Sequence, residues 1–490
     1  MPEITTKRIL FAASEAFPLI KTGGLGDVAG SLPRALLGLK QDVRLILPAY
    51  TDVPGRTGRL KTVAEFPLRH HTIRLLAGTL PGSRVPLYLV DCPALFDRPG
   101  NPYLAADGQP WPDNAWRYTL FAEAVAQLAN NQLGLDWQPD LVHCNDWQTG
   151  LIPALLSRQA QRPATVFTIH NLAYQGLFPY QTFQDLGLPA DLWHLDALEY
   201  HGQLSFIKGG LVFADRINTV SPAYAREIQT PEFGCGLDGL LRHRQAALSG
   251  ILNGIDTKEW NPGTDPFLAQ TYNRRSLASK AINKSALQQN LGLQLNADVL
   301  LIGFVGRLVE QKGVDILLDG LEKILTLPIQ LALLGSGDSR FETAFLNTAE
   351  LHPDTVAVKI GYSESLAHQI EAGADVFLMP SRFEPCGLNQ MYSMHYGTPP
   401  VVRSVGGLAD TVMNSTASNL TAKTATGFVF SGDKGSDLYQ TLARACDLYR
   451  NKSQWKTIQL AGMGHDFSWQ NSAQEYLKLY NAAAKTNAAA

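Results

Sequence analysis

Glu384 stands in a turn bracketed by Pro380 and Pro385. The run before it, from Ala374 to Met379, is short and apolar, as expected of a buried parallel strand. The prolines stop that strand, and Gly387 permits tight entry into a helical pattern over 388–396. Such a turn presents backbone N–H groups at the carboxyl edge of a sheet, where open α/β folds bind ligands. An isolated Glu there is ordinarily a helix cap, but two other stretches bear on it. Lys21-Thr22-Gly23-Gly24-Leu25-Gly26-Asp27 follows the first apolar run of the chain. Its glycines allow close backbone approach, and its N–H groups with Lys21 suit a diphosphate. The spacing matches neither the dinucleotide fingerprint nor the P-loop. Arg307 and Lys312 follow the first apolar run of the second half. Each is an ordinary surface cation when taken singly. Together, two first-strand loops carrying cations and glycines point to a shared anionic ligand. Of the histidines, His170 stands at a strand's carboxyl end and is the site candidate; His143 reads as packing.

Positioning these residues takes a repeated strand–helix frame. In the first half, residues 8–13, 43–47, 86–90, 140–143 and 165–169 read as buried strands. A helix from about 27, bent at Pro33, and helices over 114–129 and 149–158 lie between them. The second half repeats the pattern, with strands at 300–305, 329–334, 356–360, 376–379 and 400–402. Its helices read as 311–327, 339–351, 363–372 and 436–449. This alternation implies parallel sheets covered on both faces. The segment 96–112, rich in Pro, Gly and Asn, is long for a connection and reads as a functional loop. Residues 250–263 read as a crossover and linker. The tail over 469–484 reads as an amphipathic helix, with the last residues to 490 frayed.

At 490 residues the chain exceeds one typical core, so two large domains are expected. A net charge of -3 argues against broad nucleic-acid binding. The five cysteines are scattered and none is spaced for zinc, as in a reducing compartment. No signal peptide or membrane span is read, so a cytoplasmic protein is expected.

In the order of the chain, KTGGLGDV (21–28), VHCNDWQTGL (142–151), FTIHNLAYQG (167–176), TVSPAYAREI (219–228) and LNGIDTKEWNP (252–262) come first. GRLVEQKG (306–313), LLGSGD (333–338), IGYSE (360–364), PSRFEPCGLNQMY (380–392) and GGLADTV (406–412) follow. With these stretches the chain closely resembles the bacterial glycogen synthases and plant starch synthases, retaining glucosyltransferases of the GT-B type. The resemblance implies two doubly wound Rossmann-like domains facing across a deep cleft. It places a first domain at 1–255, a second at 256–465 and a returning C-terminal helix at 466–490. It implies transfer of glucose from ADP-glucose to the non-reducing 4-hydroxyl of an α-1,4-glucan such as glycogen, releasing ADP. No cofactor and no metal are implied, and neither nucleic acid nor membrane is a partner.

Matched position by position, Arg307 and Lys312 correspond to the pair that neutralises the donor diphosphate. Lys21 with Gly23 and Gly24 corresponds to the other domain's phosphate contact. Glu384 corresponds to the acid that holds the glucose hydroxyls, and Cys386, Gly387 and Leu388 to backbone donors to that sugar. Asp146 and His170 match the pair beside the anomeric carbon, Tyr362 the aromatic on the adenine, and Glu15 and Asn171 acceptor-side positions. The broader superfamily has a second Glu eight positions after the first; here that position is Tyr392.

Retaining hydrolases use two carboxylates about 5 Å apart. No second carboxylate pairs with Glu384 in the sequence, so same-face attack is expected, with the departing phosphate oxygen taking the acceptor's proton. No Asp-x-Asp occurs to hold a diphosphate through a metal. Three alternatives compete: a transferase of the same fold using UDP-glucose or making sucrose, a phosphorylase needing a pyridoxal phosphate lysine, and a catalytically dead glucan-binding module. Donor competition tests the first and an absorbance spectrum the second. Retention of Lys21, Arg307, Lys312 and Glu384 speaks against the third.

Overall fold

A computed structural model describes residues 6–489. The described chain divides into two compact units. One comprises the residues up to Val220, Ala225–Gly254 and the last helix from Trp469; the other comprises Ser221–Tyr224 and Ile255–Ser468.

The first unit is built on a nine-stranded sheet. From one edge its strands are Leu248–Gly250, Arg216–Thr219, Ala164–Ile169, Leu141–Asn145, Arg8–Ala12, Asp42–Pro48 and Pro86–Asp91, all parallel to their neighbours. His71–Thr79 and Lys61–Leu68 then extend it antiparallel. Sequence patterning missed this hairpin, because its strands alternate polar and apolar residues around only a few buried ones. The central strands are mostly apolar and almost wholly buried, as strands covered on both faces must be. The last helix, Trp469–Ala489, buries Tyr476, Tyr480 and Ala483 in this unit. It continues five residues past the expected 484, so 485–489 are helical rather than frayed, and Ala490 lies outside the described residues. His143 is packing: Nδ1 pairs with the Tyr480 hydroxyl at 2.8 Å and Nε2 with Thr168 Oγ1 at 2.7 Å.

The second unit has a six-stranded parallel sheet. Across it run Val356–Ile360, Ile329–Gly335, Leu300–Val305, Val376–Met379, Pro400–Arg403 and Phe428–Phe430. Counted along the chain this is the order 3-2-1-4-5-6 of dinucleotide-binding folds. Alternate side chains of its first strand serve opposite faces. Leu300, Ile302 and Phe304 join Val314, Leu317, Leu438 and Leu442 on one side, and Leu301 joins Phe377, Met379 and Met394 on the other. The helix expected over 311–327 is Val314–Ile324, preceded by a 3-10 turn at Glu310–Lys312. Gly313 separates the two at φ +67°, where a Cβ would stand 1.9 Å from the Pro380 carbonyl oxygen. Among the described residues, no helix is long and apolar enough to cross a membrane.

Candidate functional site

In each sheet the first strand lies between strands whose connections leave in opposite directions, the switch point where open α/β sheets bind ligands. In the second unit, the carboxyl ends of Leu300–Val305 and Val376–Met379 flank that point. The first leads to Arg307 and Lys312, the second to Glu384. Glu384 is buried, and its Oε2 accepts from Lys312 Nζ at 2.6 Å and from Ser381 Oγ at 3.0 Å. A buried carboxylate is costly unless its oxygens are hydrogen-bonded, and these two contacts supply that. Arg307 is exposed and donates to Gln311 Oε1 at 2.9 Å, while the Gln311 carbonyl accepts from Arg382 N.

The turn bearing Glu384 rests on two glycines. Gly407 N donates to the Glu384 carbonyl at 3.1 Å. A Cβ on Gly406 would meet that carbonyl oxygen at 2.0 Å, and one on Gly407 the Cys386 oxygen at 2.1 Å. This is a physical role for the GGLADTV stretch that sequence reading quoted without one. Ser221, far earlier in the chain, also holds the turn, its Oγ donating to the Pro385 carbonyl at 2.7 Å. Nothing local at Ser221 signals that contact. Gly387 takes φ +71°, Cys386 is buried and Leu388 half-buried. Tyr362 is 83% exposed, a ring open to stacking, with its hydroxyl on the Glu364 carboxylate. Tyr392 lies flat against Trp260, ring centroids 4.1 Å apart, and Trp260 stacks in turn on His368 at 3.9 Å. The position of the superfamily's second acid is therefore occupied here by an aromatic stack.

In the first unit the corresponding point lies between Arg8–Ala12 and Leu141–Asn145. Beyond the first, the helix Gly24–Gly38 opens after Gly23. A Cβ on Gly23 or Gly24 would meet nothing within 4 Å, so no packing within the protein demands glycine there. Lys21 is half-exposed and pairs with Asp27 at 2.8 Å. Glu15 is buried beneath this loop. Its carboxylate accepts from the Thr22 amide, from Thr22 Oγ1 at 3.0 Å, from Gly23 N at 3.4 Å and from the Tyr103 hydroxyl at 3.1 Å. Burial nevertheless pushes its pKa up.

Beyond the second strand, Asp146 holds φ +56° and ψ −179°, a conformation rare outside glycine and characteristic of functional sites. Its Oδ1 accepts from His170 N at 2.7 Å, which ties the ends of two neighbouring strands together. Burial pushes the Asp146 carboxyl up to about 7. His170 Nε2 meets Asn145 Oδ1 at 2.9 Å, and Asn145 Nδ2 donates to the Ala12 carbonyl. An amide oxygen only accepts, so Nε2 carries the proton and Nδ1 the lone pair. The surroundings of the ring push its pKa down to about 3, so the imidazole is neutral at pH 7. Asn171 Oδ1 accepts from Ala173 N, which closes the turn that follows. Among the described residues no group of His, Cys, Asp and Glu is arranged to hold a metal ion.

Residues 8–243 match the starch synthase catalytic domain family, and 300–451 the glycosyl transferases group 1 family. The chain is 58% identical over 478 residues to glycogen synthase 1 of Methylococcus capsulatus, covering 97% of this chain and 96% of that protein. The chain belongs to the bacterial glycogen synthase and starch synthase family. The glycogen synthase of Cellvibrio japonicus is likewise 58% identical, over 96% of this chain and 98% of its own length. Among solved structures, the catalytic domain of starch synthase IV from Arabidopsis thaliana, bound to ADP and acarbose, superposes with a TM-score of 0.88 at 32% identity. That match covers 98% of this chain and 100% of the other. Sucrose-phosphate synthase from Thermosynechococcus elongatus, at 17% identity and a TM-score of 0.59, shares the fold. This glycogen synthase family member therefore has the GT-B architecture of two Rossmann-like domains.

Proposed function

We propose that this enzyme extends α-1,4-glucan chains in the cytoplasm by moving glucose from ADP-glucose to the terminal 4-hydroxyl, with retention of configuration and no cofactor. The observation that carries the site assignment is the buried Glu384–Lys312 pair at the switch point of the second sheet, within reach of the loop bearing Arg307. Arg307 and Lys312 take the donor diphosphate and stabilise the charge that grows as the glucose–phosphate bond breaks. Glu384 holds the glucose hydroxyls, with the backbone of Cys386, Gly387 and Leu388 beside it. Tyr362 stacks on the adenine. In the first unit, Lys21 and the amides after Gly23 and Gly24 receive phosphate oxygens; the open space at both glycines supports close approach by a ligand. Asp146 and neutral His170 face the anomeric carbon, Asn171 lies on the acceptor side, and Glu15 holds the phosphate loop through the amides of Thr22 and Gly23.

Attack occurs from the face that the diphosphate leaves. The acceptor oxygen forms the new bond to the anomeric carbon, the old carbon–oxygen bond breaks, and the departing phosphate oxygen takes the acceptor's proton. ADP and a glucan longer by one glucose result. The test is Glu384→Ala assayed with and without azide, beside Arg307→Ala and Lys312→Ala. Each cation variant is expected to lose about 10²–10³ in turnover. Lys312→Arg should not recover it, since a planar fork replaces a compact charge. Azide should restore nothing to Glu384→Ala. A β-linked glucosyl azide would make Glu384 a nucleophile and overturn same-face attack.

A further inference from the structure

Arg117 is almost completely buried, yet its guanidinium meets carbonyl and amide oxygens rather than a carboxylate. Nε donates to the Leu95 carbonyl at 2.8 Å, and one terminal nitrogen donates to the Pro102 carbonyl at 2.9 Å and to Asn114 Oδ1 at 2.8 Å. A buried cation is expensive to retain unless its hydrogen bonds are well made. These bonds tie Pro102, in the long irregular segment after Phe96, to the helices on either side of that segment, at Leu95 and Asn114. Tyr118 adds its hydroxyl to the same Pro102 carbonyl at 2.8 Å. The next carbonyl, that of Tyr103, accepts from Asn114 Nδ2 at 3.0 Å and from Trp111 N at 3.1 Å.

The side chain set by this grip is that of Tyr103. Its hydroxyl lies 2.8 Å from Ser14 Oγ and 3.1 Å from Glu15 Oε1. Glu15 in turn holds the amides of Thr22 and Gly23, at the mouth of the glycine loop. We propose that Arg117 is a positioning residue for donor binding: by gripping Pro102 it seats Tyr103 on Glu15, and through Glu15 it fixes the backbone that receives the donor's phosphates. The proposal rests on the reading of the Lys21–Gly24 loop as a phosphate site.

The test is a double-mutant cycle on the full-length enzyme, with Arg117→Met, Tyr103→Phe and the pair, each assayed for KM toward ADP-glucose and toward glycogen. Each single variant is expected to raise the donor KM about tenfold, the scale of one hydrogen bond. The glycogen KM should stay within twofold. The pair should be no worse than the poorer single variant, because both act on one chain of contacts. Arg117→Lys, which keeps the charge but not the fork, should recover only part. Additive effects, or equal changes in the KM for donor and glycogen, would reduce Arg117 to a structural role and overturn the proposal. If Arg117→Met does not fold, Tyr118→Phe removes the bond to the same carbonyl, together with the contact to the Tyr50 hydroxyl, and should raise the donor KM alone; an unchanged donor KM there overturns the proposal equally. Lys21→Ala separates the two claims. If it leaves the donor KM unchanged, the loop assignment itself fails, whatever Arg117 does.

Discussion

Asp146 combines a strained backbone, a raised pKa and a hydrogen bond that joins two strand ends. Its titration has a defined sign. Unfolded, the carboxyl loses its proton near its ordinary value of 3.8; folded, it does so at about 7. The folded state therefore binds the extra proton between those values, and stability from this group is lost as pH rises from about 4 to 7. Asp146→Asn carries no such charge and keeps an oxygen for His170 N. Its stability relative to the wild type should rise across that window by up to roughly 4 kcal/mol, one pKa unit being about 1.4, and level off above pH 7. Denaturant unfolding of both proteins at pH 4.5 and pH 8 checks this. A difference independent of pH would mean that Asp146 is already ionised at low pH. The same substitution should cost activity at every pH if Asp146 faces the anomeric carbon.

At the scale of elements, two glycine pairs make opposite predictions. Gly406 and Gly407 are required by the protein, since their Cβ positions fall on the backbone of the Glu384 turn. Gly407→Ala must displace that turn, and overpacking of this kind typically costs about 1–3 kcal/mol. It should lower both melting temperature and kcat. A Cβ added at Gly23 meets nothing in the protein, so Gly23→Ala should keep the melting temperature and raise the KM for ADP-glucose. A wild-type KM in Gly23→Ala would show that no ligand comes close there. The central strands were legible because residues such as those of Leu300–Val305 and Val376–Met379 are continuously apolar. The Lys61–Leu68 and His71–Thr79 hairpin was not, since its pattern is that of an exposed edge. In the candidate site, Lys21, Arg307, Lys312 and Glu384 were visible as charges at strand ends. Ser221, Gly406 and Arg117 act through contacts distant in sequence, which spacing cannot register.

For the whole molecule, the last helix closes the first unit with polar contacts inside its core. The Tyr476 hydroxyl accepts from Asn218 Nδ2 at 3.0 Å, the Tyr480 hydroxyl pairs with His143, and Ser472 Oγ donates to the Leu252 carbonyl at 2.6 Å. Ending the chain at Ser468 would strand these buried groups, at roughly 1–3 kcal/mol each, and expose the aromatic face beneath. Hydrogen exchange on the truncated protein should show lost protection in Leu141–Asn145 and Arg216–Thr219 while Leu300–Val305 stays protected. Uniform loss across both sheets would contradict an effect confined to the first unit. The central claim concerns the reaction itself: glucose carried by a nucleotide diphosphate is moved onto an α-1,4-glucan, with ADP-glucose as the donor. Incorporation of labelled glucose into glycogen, measured from ADP-glucose and UDP-glucose in direct competition, tests it most directly. The account predicts alkali-stable, α-1,4-linked label drawn predominantly from ADP-glucose. Equal or greater incorporation from UDP-glucose, or none from either donor by folded enzyme, would contradict it.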